Sequence, residues 1–96
     1  MNIHLTAIIR SKPAYIDNVK ALLENMVLHS RQEAACLQYD LHQGTDDPAL
    51  FTFYEIWENA AALEQHNTQP YIRAFAAIAG EQLQEPPAIY TTTLIS

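Results

Sequence analysis

Phe51-Thr52-Phe53-Tyr54-Glu55-Ile56-Trp57-Glu58 alternates in character with a period of two. Phe51, Phe53, Glu55 and Trp57 fall on one face, and Thr52, Tyr54, Ile56 and Glu58 on the other, as successive side chains of a strand do. The first face reads as core except for Glu55, whose carboxylate would be expensive to desolvate without a partner. Arg10, Arg31 or Arg73 could supply one, within the chain or across a dimer, which makes Glu55 a structural ion pair first and a pocket residue second.

Working outward, Gly44-Thr45-Asp46-Asp47-Pro48 is a turn-rich loop, and before it Leu37, Tyr39 and Leu41 alternate with Gln38, Asp40 and His42 as a second strand. On the other side Asn59 is suited to cap a short helix from Ala60 to His66, its side-chain oxygen accepting an orphan amide. Pro70 interrupts that helix and opens another reaching about Leu83, with Ile72, Phe75, Ala76, Ala79 and Leu83 as its apolar stripe. Pro86-Pro87 ends it, and the β-branched run over residues 88 to 95 reads as a final strand. At the start of the chain Ile3, Leu5, Ala7 and Ile9 alternate with His4, Thr6, Ile8 and Arg10 in a strand. Pro13 then opens a helix whose stripe is Ile16, Val19, Leu22, Leu23, Met26 and Val27, fading near Gln32 to Ala35.

The order is therefore strand, helix, strand, strand, helix, strand. It predicts a single α+β domain over residues 1-96 with the ferredoxin-like βαββαβ pattern, an antiparallel four-stranded sheet with its helices on one face. The other face would carry Ile8, Tyr54, Ile56, Tyr90 and Leu94, too apolar to leave in water, and Ile89 to Ile95 is apolar or β-branched nearly throughout, as strands buried on both sides are. A second copy of the chain is the expected cover. A domain of this size buries only about 60 to 65% of its unfolded surface, so association would help it.

Eleven acidic against five basic residues give a formal charge of -6, with the cations scattered. That argues against nucleic acid, whose phosphates need a basic patch, and against an anionic membrane surface. No apolar run approaches the ~20 residues of a membrane helix. The start of the chain lacks the features of a signal peptide, and one cysteine, Cys36, cannot form an internal disulfide, so a cytoplasmic protein is expected. Cys36 itself reads as a small buried hydrophobe. His4, His29, His42 and His66 are not at ligand spacing, so no metal is expected, and two glycines cannot build a phosphate-binding loop.

Cys36-Leu37-Gln38-Tyr39-Asp40-Leu41-His42, Tyr54-Glu55-Ile56-Trp57-Glu58 and Ala62-Leu63-Glu64-Gln65-His66 resemble the antibiotic biosynthesis monooxygenase (ABM) family, and Gln69 to Phe75 continues the likeness. Ala35 departs from it, standing where the family usually has glycine. The resemblance implies a dimeric α+β barrel in which two sheets pack together, with one pocket per subunit between sheet and helices. It also implies oxidation of an aromatic or quinol-type substrate by O2 without a cofactor. Relatives isomerise small phosphorylated ketones or degrade haem, and a non-catalytic ligand-binding dimer is a further alternative. The haem-degrading relatives carry a histidine in the second helix, where this chain reads Ala74-Phe75-Ala76-Ala77, so haem is not expected.

His66 matches the family's histidine and is the candidate base, since an imidazole that is mostly neutral at pH 7 can take a phenolic or enolic proton. Its structural alternative is to bond the last carbonyls of its own helix. Tyr39 is the candidate donor to a carbonyl or oxyanion. Phe53 and Trp57 would form a flat wall for an aromatic substrate, and Tyr71 and Phe75, four apart on one helix face, would close the opposite side. For Phe53 and Trp57 an aromatic stripe at strand spacing is more often plain core, and Tyr71 and Phe75 could equally be core.

Overall fold

The structure is a computed structural model describing residues 1–96. The alternating segments form β1 (Ile3–Arg10), β2 (Cys36–Gln43), β3 (Leu50–Trp57) and β4 (Ala88–Thr92), and the periodic ones form α1 (Ile16–Ser30), α2 (Ala60–His66) and α3 (Pro70–Gln82). The sheet is antiparallel throughout, in the order β2-β3-β1-β4. This is the expected ferredoxin-like α+β arrangement, with the helices packed over one sheet face.

Register places the site. Glu55 pairs with Leu5 on one side and Tyr39 on the other, while Phe53 pairs with Ala7 and Leu41. Directly paired residues point to the same face, so Tyr39 and Glu55 stand side by side under the helices. Val19, Leu23 and Met26 from α1 and Phe75 from α3 pack against Phe51 and Phe53 from β3 as one core.

Local chemistry sets the boundaries. Asn59 Oδ1 accepts from the Ala62 amide at 2.9 Å, the expected cap of α2. In the β2–β3 connection the Gly44 amide donates to the Leu50 carbonyl at 2.8 Å, and a Cβ on Gly44 would lie 2.5 Å from the Asp47 carbonyl oxygen, so the loop closes only over glycine. Pro13 opens a 3-10 turn through Tyr15, and the α-helix proper begins at Ile16.

Four details differ from the sequence expectation. A register shift between Cys36 and Gln38 disturbs the alternation of β2, leaving Leu37 52% exposed while Tyr39 is buried. Cys36 beside it is half-buried instead of enclosed. In α3 the buried side chains are Phe75 and Gln82, with Ile72, Ile78 and Ala79 packed beside them, and Ala76 faces solvent. Finally β4 stops at Thr92, opposite His4, because β1 offers it little further backbone to pair with. Leu94 and Ile95 therefore lie beyond the strand, at 70% and 95% exposure, and Leu94 is not part of the uncovered sheet face. By register that face carries His4, Thr6 and Ile8, Tyr54 and Ile56, and Tyr90.

Candidate functional site

Between the sheet and the helices lies a cavity of about 100 Å³, lined mainly by apolar side chains that include Phe53 from β3 and Phe75 from α3. Tyr39 from β2, Glu55 from β3 and His66 from the end of α2 converge on it, joined by Asn67, and its lining includes neither lysine nor arginine. The fold thus carries three titratable side chains from three elements into one largely apolar space, open to solvent beside Asn67 and Ile89.

Glu55 is 5% exposed, and its Oε1 accepts from Trp57 Nε1–H at 2.8 Å. Two residues apart on one strand, they face the same way. Burial pushes the carboxyl up to about 7; the Trp57 bond opposes that and the charge of Glu33 adds to it. Within the chain no arginine reaches Glu55. Arg10 pairs with Asp47 and Glu85 at 3.7 and 3.4 Å, and Arg31 with Asp40 at 3.2 Å, while Arg73 lies exposed on α3. These guanidiniums stay at the solvated rim, where they keep their hydration, and an indole N–H serves Glu55 instead.

His66 is 3% exposed. Its Nδ1 lies 2.7 Å from Glu33 Oε2, in place of the helix-end carbonyls considered above. With a carboxylate at Nδ1 the neutral ring carries its proton there, and Nε2 is left as a base. Burial lowers the pKa of the imidazole and the Glu33 contact partly restores it, so the ring is neutral at pH 7. Trp57 and Tyr39 pack on it with ring centroids 4.3 and 5.5 Å away. Tyr39 is 2% exposed, tilted against Phe53 at 5.0 Å; burial and the neighbouring Glu55 hold its phenol far above its ordinary pKa, as a neutral donor.

Trp57 and Tyr71 do not line this cavity. Fully buried Trp57 stands behind Glu55 and His66, where its other side walls an outer cleft of about 280 Å³ shared with Glu33, Gln65 and Gln69. Tyr71 points away, donating its hydroxyl to Glu33 Oε2 and stacking on His29 at 5.2 Å. Phe53 and Phe75 line the cavity, whereas Trp57 bonds Glu55 and Tyr71 bonds Glu33.

Sequence reading passed over Glu33, which stands in the turn between α1 and β2 and reaches partners 33 and 38 residues away. A lone acid in a short loop carries no sequence mark of such a pairing. Cys36 donates to the Gln38 carbonyl at 3.7 Å, and burial, with Glu33 and Glu55 adding, pushes its thiol up to about 11, so it is no nucleophile at neutral pH. The largest depression, about 410 Å³, lies between α1 and β2 beside Lys20, Leu28 and Arg31 and contains none of the buried titratable groups. No three His, Cys, Asp or Glu side chains stand close enough to share a metal ion.

Comparison with known proteins agrees with this architecture. The Bacillus subtilis protein YcnE, by name a candidate monooxygenase, is 32% identical over 90 residues, covering 94% of this chain and 95% of its own. A Synechocystis protein of unassigned function is 31% identical over 81 residues, and there the chain spans 55% of the relative's length. The crystal structure of PA3566 from Pseudomonas aeruginosa superposes with a TM-score of 0.92 at 34% identity, over 99% of this chain and 95% of that one. The profile of the family described as antibiotic biosynthesis monooxygenase matches residues 2–78, nearly the whole span that builds the sheet face, the cavity and its three polar groups, and the chain belongs to that family.

Proposed function

We propose that the protein is a cofactor-independent monooxygenase that oxidises a small aromatic, quinol-type molecule with O2, working as a homodimer. The observation that carries this reading is the convergence of Tyr39, Glu55 and His66 on one apolar cavity without a lysine or arginine. Such a site suits an uncharged ring bearing hydroxyl or carbonyl groups. It offers no cation to a phosphate, which weighs against the isomerase of a phosphorylated ketone.

Triplet O2 reacts sluggishly with closed-shell molecules, and an electron-rich anion of the substrate supplies the electrons itself. His66 Nε2 removes a proton from the substrate, and Glu33 stabilises the imidazolium that results. The anion transfers electrons to O2 and forms a C–O bond, giving a peroxide. Glu55, near half-protonated at neutral pH, protonates the peroxide and then takes the second C–H proton as the O–O bond breaks, while His66 protonates the oxygen that leaves. For a CH2 centre the products are a carbonyl and water, which balances both oxygen atoms and both hydrogens. Tyr39 donates to the oxyanion in a largely apolar space.

Size limits the substrate. A dry cavity of about 150 Å³ holds benzene, so one of about 100 Å³ takes a single ring only as its wall yields. Ile89, on that wall and 61% exposed, is the side chain freest to move. The uncovered sheet face around Ile8, Tyr54 and Ile56 supports the dimer, since nothing within the chain shields it.

The test is a panel of hydroquinones, catechols and anthrones screened by thermal shift, with binders followed on an oxygen electrode. Saturable O2 uptake with one or more of them is expected. Binding without O2 uptake would instead establish a ligand-binding dimer.

A further inference from the structure

The hydrogen bond between His66 and Glu33 crosses a wall. His66 borders the inner cavity and not the outer cleft, while Glu33 borders the outer cleft and not the inner cavity. Trp57, fully buried, fills the wall beside them. The two ends of this one bond also differ in exposure, the His66 side chain being 4% exposed and that of Glu33 18%. Gln65 at the cleft is exposed and Gln69 half-buried, so the cleft opens to solvent.

We propose that Glu33 and the outer cleft form a proton port for the buried imidazole, through which His66 exchanges protons with bulk water at Nδ1 on the side of the ring away from the substrate. The inference rests on His66 acting as the base of the inner cavity. A proton taken from substrate at Nε2 makes the ring cationic. The Nδ1 proton then passes to Glu33 Oε2, and the carboxylic acid so formed releases it to water in the cleft. Reversal brings a proton back through Glu33 to Nδ1 as Nε2 protonates the oxygen that leaves as water. No net proton is gained or lost over the cycle, and this exchange does not pass through the substrate cavity.

The surroundings leave few other routes. The titratable groups facing the ring are Glu33 from the α1–β2 turn, Tyr39 from β2 and Glu55 from β3, with half-buried Tyr71 from α3 bonded to Glu33 and stacked on His29. Tyr39 and Tyr71 hold their protons far above neutral pH, and Glu55 opens onto the inner cavity itself. Glu33 alone joins the ring to the cleft. Tyr71 donates to the same oxygen and keeps that carboxylate turned toward His66, acting as a positioning residue.

The port can be tested without substrate, by following the His66 ring nitrogens by NMR across pH in the wild type, Glu33→Ala and Glu33→Gln, each with and without sodium formate. Loss of a facing carboxylate should lower the His66 pKa by about one unit or more in both variants. Formate should enter the vacated end of the cleft in Glu33→Ala and restore the titration saturably. It should have no effect in Glu33→Gln, whose amide still fills the space and whose near-isosteric side chain guards against a folding artefact. An unchanged His66 pKa in both variants would overturn the coupling. A folded Glu33→Ala protein blind to formate would overturn solvent access through the cleft. Neither result depends on turnover, so failure of the oxygenase reading and failure of the port are separately visible.

Discussion

Trp57 Nε1–H donates to Glu55 Oε1 at 2.8 Å from two residues further along the same strand. The indole fixes a carboxyl that burial would otherwise leave without a partner, and it does so with a neutral donor. A guanidinium would have kept Glu55 ionised at every physiological pH; an indole leaves it able to hold or release a proton near 7.

Stability should report this directly. Glu55 keeps its proton to about pH 7 when folded and loses it near 4.5 when unfolded. Between those values the unfolded chain binds fewer protons, so stability falls as pH rises from about 4.5 through 7, by up to about 3 kcal/mol. Glu55→Gln should lack that fall, and urea titrations of both proteins at pH 5 and pH 8 measure it. A wild type that gained stability relative to the variant over the interval would reverse the sign.

Trp57→Phe removes the donor and leaves a gap behind the carboxyl. The loss should cost about 1 to 3 kcal/mol and drive the Glu55 titration still higher than about 7. Carboxyl ¹³C shifts across pH read that midpoint, and an unmoved or lowered value would exclude the indole as its control.

The rate of any turnover should be bell-shaped in pH. His66 must be neutral, and its lowered pKa puts the acid limb below 6.5; Glu55 must hold a proton, which puts the alkaline limb near 7. His66→Ala should lower kcat by ~10²- to 10⁴-fold, while Glu55→Gln should remove the alkaline limb. Absence of any acid limb below pH 6.5 would separate His66 from the chemistry, and an alkaline limb unchanged in Glu55→Gln would separate Glu55.

Assembly can be tested at Ile56, half-buried on the sheet face that no helix covers. Sedimentation of the wild type at micromolar concentration should give twice the 10.8 kDa of one chain. Ile56→Asp should shift it to a monomer with exposed apolar surface, because a carboxylate buried without a partner costs several kcal/mol. A well-folded wild-type monomer would count against sheet-to-sheet assembly.

The sheet and the helices were legible because side-chain period alone specifies them. Phe51, Phe53, Glu55 and Trp57 share the buried face, Asn59 caps α2, and the stripe of α1 faces the core, as alternation and helical spacing require. Tyr39, Glu55 and His66 were each recognisable as unusual. What escaped depended on register and distance. The irregularity at Leu37 breaks a period that looks intact in one dimension, and β4 ends at Thr92, one residue short of the start of β1 at Ile3. A carboxylate on a core face points first to a cationic partner, whereas an indole on the same strand face bonds Glu55. Glu33 became visible only once the chain brought α2 and α3 against the α1–β2 turn.

The most direct measurement is product mass spectrometry after turnover of a confirmed quinol-type substrate under ¹⁸O2. One ¹⁸O atom in each product molecule and the other in water, with the rate falling sharply in His66→Ala, is the expected result. Oxygen consumed with no label in the product and peroxide released instead, or full labelling at an unchanged rate in His66→Ala, would contradict a monooxygenase that works through this cavity.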